Sequence, residues 1–331
     1  MSSPQQLALL DPSRPAGPAP SWREALAERA ARAWEQLCAQ SGGAQLLSPD
    51  VALVQADALE WMRALPPGAL HAIVTDPPYG VIEYDAKHQA KLRSGRGGVW
   101  RIPPSFDGAR RRPLPRFTVL SETEVARLRR FFRAVAEEAL RVLVPGGHLF
   151  LASNPLLSSL TFTSFQQAGL EKRGEVIRLV QTLRGGDRPK GAEAEFPEVS
   201  VMPRSGWEPW GIFRKPLEGT VAENLRAWGT GGLRRVSEDE PFKDVIPCSP
   251  TRGREKEIAP HPSLKPQRFL RRVVRASLPL GLGIVYDPFA GSGSTLAAAV
   301  AVGYRAIGTE RDAEYVEMAQ RAFPGLVAIE V

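Results

Sequence analysis

Four short strand-like runs each end on a carboxylate: VALVQAD at Asp57, HAIVTD at Asp76, GIVYD at Asp287 and YRAIGTE at Glu310. Helical segments separate them. ALEWMRAL follows Asp57, and Val125, Leu128, Phe132, Val135, Ala139 and Val142 form a stripe at alternating steps of three and four. TLAAAVAVG and DAEYVEMAQRAF complete the set. Strand and helix in alternation predict a parallel sheet covered by helices on both faces. This pattern limits the possible folds more than any single motif does.

The other signals fill in that frame. Ser121 with Glu124 predicts a capping box for the striped helix, and Pro145-Gly146-Gly147 is expected to end it before a strand HLFLASN over 148–154. Residues 1–46 read as a proline-rich arm followed by a surface helix near 22–40. Residues 47–160 form a first half of the sheet domain, interrupted by a loop over 80–117. That loop carries Lys87, Lys91, Arg93, Arg96, Arg101, Arg110, Arg111, Arg112 and Arg116. A loop of this length in a compact domain reads as a lid, a binding loop or a disordered stretch. Over 161–260 the pattern loosens into Gly, Pro, Arg and Trp, which reads as an inserted module with short strands of its own. Regular alternation returns over 268–323, within a second half of the sheet domain over 261–331.

With 331 residues, 43% hydrophobic and 24% charged, the chain has ample material for a buried core. Its net charge of +7 favours a polyanionic partner without proving one. No apolar run approaches the ~18 residues of a membrane span, and the first residues lack a secretory pattern. Cys38 and Cys248 have no metal-ligand spacing, so a reducing cytoplasmic setting and no metal are expected.

In DPFAGSGST, Asp287 and Phe289 precede Gly291, Ser292, Gly293, Ser294 and Thr295. Small residues between a strand and a helix let a ligand approach the backbone at the helix N-terminus. Glu310 lies nineteen residues beyond Gly291, where an acid suits a ribose hydroxyl pair. A nicotinamide or flavin site is the alternative, but its third glycine is replaced here by Leu296. In TDPPYG, Asp76, Pro77, Pro78 and Tyr79 end a strand with two residues that lack a backbone donor.

Together TDPPYG, DPFAGSGST, the strand to Glu310 with DAEYVEMAQRA, and HPSLKP with His261 and Lys265 resemble the N6-adenine/N4-cytosine DNA methylases that use S-adenosylmethionine. The resemblance spans roughly residues 48–325. D-P-P-Y before the glycine loop is similar to the permuted β group. It implies a Rossmann-like α/β fold, a mainly parallel seven-stranded sheet with a target-recognition insertion. It places Asp57, Ala58, His261, Lys265, Asp287, Phe289, Gly291, Ser292, Gly293, Ser294, Thr295 and Glu310 around the cofactor, with Asp57 and Asp76 at the ends of neighbouring strands.

The chemistry implied for D-P-P-Y is specific. The lone pair of an exocyclic amine is delocalised into its ring. Asp76 and the Pro77 carbonyl would accept its two N–H groups, freeing the lone pair to attack a methyl, and Tyr79 would stack on the flipped base. Double-stranded DNA is the implied substrate, with N6 of adenine favoured by the leading Asp. N4 of cytosine, RNA and a non-enzymatic DNA-binding module are the alternatives. A cognate restriction endonuclease and a homodimer stay open. DNA contacts are expected from the basic loop and from Lys172, Arg173, Arg184, Arg188, Lys190, Arg234 and Arg235. Trp207, Trp210 and Trp228 are expected in the core of the small module. Cys248, though preceded by a proline as in cytosine-C5 enzymes, is read as a packing residue.

Overall fold

In a computed structural model the described residues are 21–78, 122–180, 186, 188–189, 191–249, 251, 253–261 and 263–331. The arm over 1–20, Tyr79, the basic loop, Ser121, Arg184 and Lys190 lie outside them. Nine strands form one sheet in the order β1-β2-β9-β8-β3-β4-β6-β5-β7. The strands are β1 (Gln45–Ser48), β2 (Val51–Gln55), β3 (Leu70–Thr75), β4 (Leu143–Ala152), β5 (Glu171–Leu179), β6 (Trp207–Arg214), β7 (Val245–Pro247), β8 (Ile284–Asp287) and β9 (Arg305–Glu310). β2, β9, β8, β3 and β4 run parallel, and β6 joins β4 antiparallel. The expected seven strands correspond to β2 through β5 in this order; the short β1 and β7 extend the two edges.

The central strands are apolar on both faces because helices cover both. Ala72 and Val74 of β3 join the core beneath α7 (Gln267–Ser277), α8 (Ser294–Ala301) and α9 (Ala313–Val327). Ile73 between them joins the opposite core, with α1 (Ser21–Gln40), α2 (Ala58–Ala64), α3 (Glu122–Val142) and α4 (Ser158–Gln167). Two further helices, α5 (Val221–Trp228) and α6 (Arg254–Ile258), lie in the connections. The α3 stripe is buried from Leu128 to Val142, as its spacing predicts. Through Trp34 and Leu37 the N-terminal helix belongs to the same core. No helix among the described residues is long and apolar enough to cross a membrane.

The structure departs from the sequence reading in three places. Pro145-Gly146-Gly147 does not end the helix, which stops at Val142; these residues lie inside β4. There the β3–β4 register slips between the Leu70↔Leu143 and Ala72↔His148 pairs, and Gly146 takes φ 73°. A glycine bulge therefore bends the strand instead of breaking it. The 161–260 segment is not separate from the sheet, since β5, β6 and β7 continue it and Trp210 is fully buried in the main core. The irregular composition belongs to the connections between these strands, and sequence periodicity alone could not tell the two apart. Finally, β2 and β3 are not neighbours, because β9 and β8 from the far end of the chain insert between them.

The β3–β8 seam therefore joins two parts of the chain about 210 residues apart. Ala72 pairs with Val285 and Ile73 with Tyr286, and Thr75 Oγ1 then donates to Asp287 Oδ1 at 2.7 Å. The same oxygen accepts from the Phe289 amide at 3.0 Å. Burial pushes the Asp287 carboxyl up to about 6, and nearby Asp76 adds to this, against hydrogen bonds from Thr295, Thr75 and Phe289. The folded protein thus holds this proton at a pH where the unfolded chain has released it. Stability therefore falls as pH rises from about 4 to about 6 and stays lower above that range. A shift of about 2 pH units at about 1.4 kcal/mol each amounts to roughly 3 kcal/mol. Asp287→Asn keeps the accepting oxygen but cannot titrate. Urea unfolding of both proteins between pH 4 and 7 should show the mutant losing less stability across this window. Parallel curves would refute the assignment.

Candidate active site

The four parallel strands β2, β9, β8 and β3 deliver Asp57, Glu310, Asp287 and Asp76 to one carboxyl edge of the sheet. This is the crevice where open α/β sheets bind ligands. The four acids differ in what their oxygens do.

Asp57 caps α2, its Oδ1 accepting from the Leu59 and Glu60 amides at 2.9 and 3.2 Å, and Ala58 behind it is buried. Glu310 ties the glycine turn to the sheet: Oε2 accepts from the Gly291 amide and Oε1 from the Asp312 amide, each at 2.9 Å. Asp287 points inward and is buried, so it props the turn from beneath. Asp76, the last of the row, is partly buried and faces a lysine.

The turn itself is closely packed. Gly291 and Gly293 have φ of 51° and 79°, conformations that side chains disfavour. The Ala290 amide donates to Thr309 O at 2.9 Å and the Gly293 amide to Ala290 O at 2.8 Å. Ser292, Ser294 and Thr295 are buried at the start of α8, and Phe289 packs against Phe131 at 6.0 Å. A Cβ on Gly308 of β9 would meet Ala290 Cβ at 2.9 Å, so only a glycine there leaves room for the Ala290 methyl and the Leu296 side chain. A Cβ on Gly291 would lie 3.2 Å from His261 Nε2. The His261 ring therefore covers the turn, resting edge-on against Tyr315 at 4.5 Å. Burial, with Lys256 and Lys265 nearby, lowers its pKa to about 4 and leaves a neutral imidazole.

Lys265 lies on the other side. Its Nζ donates to Asp76 Oδ2 and lies 3.3 Å from Glu208 Oε1. Glu208 in turn accepts from Arg178 through Oε2, at 2.8 Å from Nε. Burial alone would lower the Lys265 pKa, but Asp76 and Glu208 outweigh it and raise it. For Glu208 burial acts upward, and Lys265 with Arg178 more than cancels it, so the carboxyl stays below its usual range. Sequence reasoning groups His261 and Lys265 together; the structure divides them, one on the glycine turn and one on Asp76. Glu208 and Arg178 carry no motif, and Thr75 stands in TDPPYG with no role assigned to it. Only the residue before Asp76 offers a signal, as a hydroxyl ending a buried strand.

Pro77 is buried after Asp76 and Pro78 is exposed. Several predicted DNA contacts have other partners: Lys172 pairs with Glu175 at 2.6 Å and Arg234 donates to Tyr304 at 2.9 Å. Cys248 is buried beside β5, which pushes its thiol pKa up and keeps it protonated.

Residues 207–321 match the N6/N4 family model described as DNA methylase. The chain is 35% identical over 89 residues to type II methyltransferase M2.DpnII of Streptococcus pneumoniae, covering 27% of this chain and 33% of that protein. It is 46% identical over 65 residues to DNA adenine methyltransferase YhdJ of Escherichia coli K12, covering 20% and 22%. The chain thus spans a third or less of the length of these curated relatives. Among solved structures, TTHA0409 of Thermus thermophilus, crystallised with S-adenosyl-L-methionine, superposes with a TM-score of 0.52 at 20% identity, over 83% of this chain and 94% of that one. The matched region contains the HPSLKP segment, the glycine turn and Glu310, which line this crevice, so over that part the chain is similar to the N6/N4 DNA methylases.

Proposed function

We propose that the chain transfers a methyl group from S-adenosylmethionine to the N6 amino group of adenine in double-stranded DNA, after the base has left the duplex. The observation that carries this reading is the β3–β8 seam. It sets the carboxylate of the D-P-P-Y stretch beside the strand that opens the glycine turn, tied by the Thr75–Asp287 hydrogen bond.

The residues present fit the cofactor. A carboxylate has about four lone-pair positions, so Glu310 can bind a ribose hydroxyl pair while accepting from two amides. Asp57 and Ala58, one strand away, suit the purine, and the turn at Gly291 adds no side chain of its own beneath the His261 ring. When bound, the cofactor supplies an electrophilic methyl on a sulfonium. The protein's part is positional. Asp76 accepts one N–H of the target amine and the Pro77 carbonyl, stiffened by Pro78, accepts the other. This draws the nitrogen toward tetrahedral geometry and frees its lone pair. Tyr79 would stack on the base, whose extrusion costs roughly a few kcal/mol. The Lys265 ammonium keeps Asp76 in one orientation, so the carboxylate needs little rearrangement when the amine arrives. Adenine is supported by the leading Asp of the motif and by the adenine specificity in the name of YhdJ. The type II name of M2.DpnII supports a restriction–modification setting.

Asp76→Ala should lower turnover at least about 10³-fold, the scale of losing a group that acts only in the transition state, while S-adenosylmethionine binding by calorimetry changes little. Intact turnover with lost cofactor binding would reverse the assignment. Modified-base sequencing of DNA from cells expressing the protein should find N6-methyladenine at one recurring site. N4-methylcytosine there would move the target base, and no modified base with methylated ribosomal RNA would move the polymer.

A further inference from the structure

Four ionisable side chains lie in a row on one face of the sheet, alternating in sign: Asp76, Lys265, Glu208, Arg178. Their side chains are 16%, 13%, 14% and 9% exposed. Arg178 and Glu208 are direct cross-strand partners of β5 and β6, and β6 borders β4, which borders β3. The row therefore crosses the sheet from the proposed acceptor carboxylate to strands read from sequence as part of a recognition module. Glu208 is the link, with Oε1 toward Lys265 and Oε2 toward Arg178.

Stability gives this row little reason to exist. Buried ion pairs often contribute nothing beyond what apolar residues of similar volume would. Arg178 Nη1 is buried with no hydrogen-bond partner among the described residues, an added cost. The surroundings are apolar too, with Trp210 and Phe269 packed together and the Arg178 guanidinium 5.7 Å from the Phe269 ring. What the row does provide is a fixed ammonium. Lysine has a flexible stem and its compact charge can be drawn from several directions. An anion on each side limits where Nζ can rest.

We propose that Glu208, itself held by Arg178, is a positioning residue that fixes Lys265 on Asp76 and so sets the direction in which Asp76 receives the target amine. This rests on the methyl-transfer reading above. Removing Glu208 would take away the carboxylate that Arg178 faces and leave Lys265 held on the Asp76 side alone, free to settle elsewhere. Other charged groups around the pair are Asp287, which interacts with Asp76, and His261, a neutral imidazole four residues before Lys265.

The test measures transfer of labelled methyl from S-adenosylmethionine to unmethylated genomic DNA by the full chain, with cofactor affinity by calorimetry and folding by circular dichroism. Glu208→Gln should lower kcat about 10- to 100-fold, the scale of a misplaced reacting group, with cofactor Kd unchanged within about twofold. With one of its two anions gone, Lys265 should lose its proton at lower pH, so the alkaline limb of the rate profile should move down. Glu208→Asp should recover part of the rate and keep the limb in place. In a Lys265→Met background, Glu208→Gln should have little further effect, because both changes break the same link. Wild-type kcat and pH profile in Glu208→Gln, or effects additive with Lys265→Met, would overturn the inference alone. Should Glu208→Gln not fold, Glu208→Asp decides, and an undiminished kcat there counts against the proposal. A wild type that transfers no methyl overturns the underlying reading, and this inference with it.

Discussion

The pairing of β3 with β8 is the contact on which the rest of the crevice depends. Neither strand has a neighbour close in sequence on that side, so no turn guides their register. The register is set by buried apolar residues on both faces and tied by side-chain hydrogen bonds at both ends, from the Ile284 amide to His71 and from Thr75 to Asp287. A one-residue slip would turn each buried side chain to the opposite face. It would also move Asp76 off the edge that it shares with Asp287 and Glu310. Packing and site geometry are therefore one constraint, and the two cores above and below the sheet jointly enforce it.

Carboxylates at this edge divide into two kinds. Asp57, Glu310 and Asp287 are bound mainly by backbone amides and hydroxyls, which are fixed once the strands and helices form. Asp76 is instead bound by a side-chain cation whose own position depends on a further anion. The first kind shapes a cradle. The second depends on side chains for its placement, because Lys265 is itself held between Asp76 and Glu208. One edge thus combines carboxylates fixed by the backbone with one fixed by a chain of charged side chains.

Much of this is legible in sequence. Strand–helix alternation points to the layered architecture, and the acids ending each run mark the carboxyl edge of the sheet. Asp57, Asp76, Asp287 and Glu310 all reach that edge. Relations between distant segments stay hidden. Nothing local in VALVQAD or HAIVTD reveals that two strands from beyond residue 280 pass between them. Glu208 looks like one more charge in PRSGWEPWGIF, since its partners are 30 residues before it and 57 after it. The β5–β7 strands read as a separate module because glycine and proline in their connections drown a short periodic signal. The glycine bulge in β4 misleads for a related reason, since Pro-Gly-Gly reads as a stop unless a partner strand is known.

The position of β8 and β9 also bears on how the molecule comes to be folded. As the chain emerges from a ribosome, β2 and β3 appear early, yet each lacks its inner partner until more than 200 residues later. Both would present unpaired hydrogen-bonding edges in the meantime, a condition that favours wrong association. Closure of the sheet is then a late event of long sequence reach, which slows folding. The two last strands act as a keystone, and the protein gains its central crevice only when they slide into place.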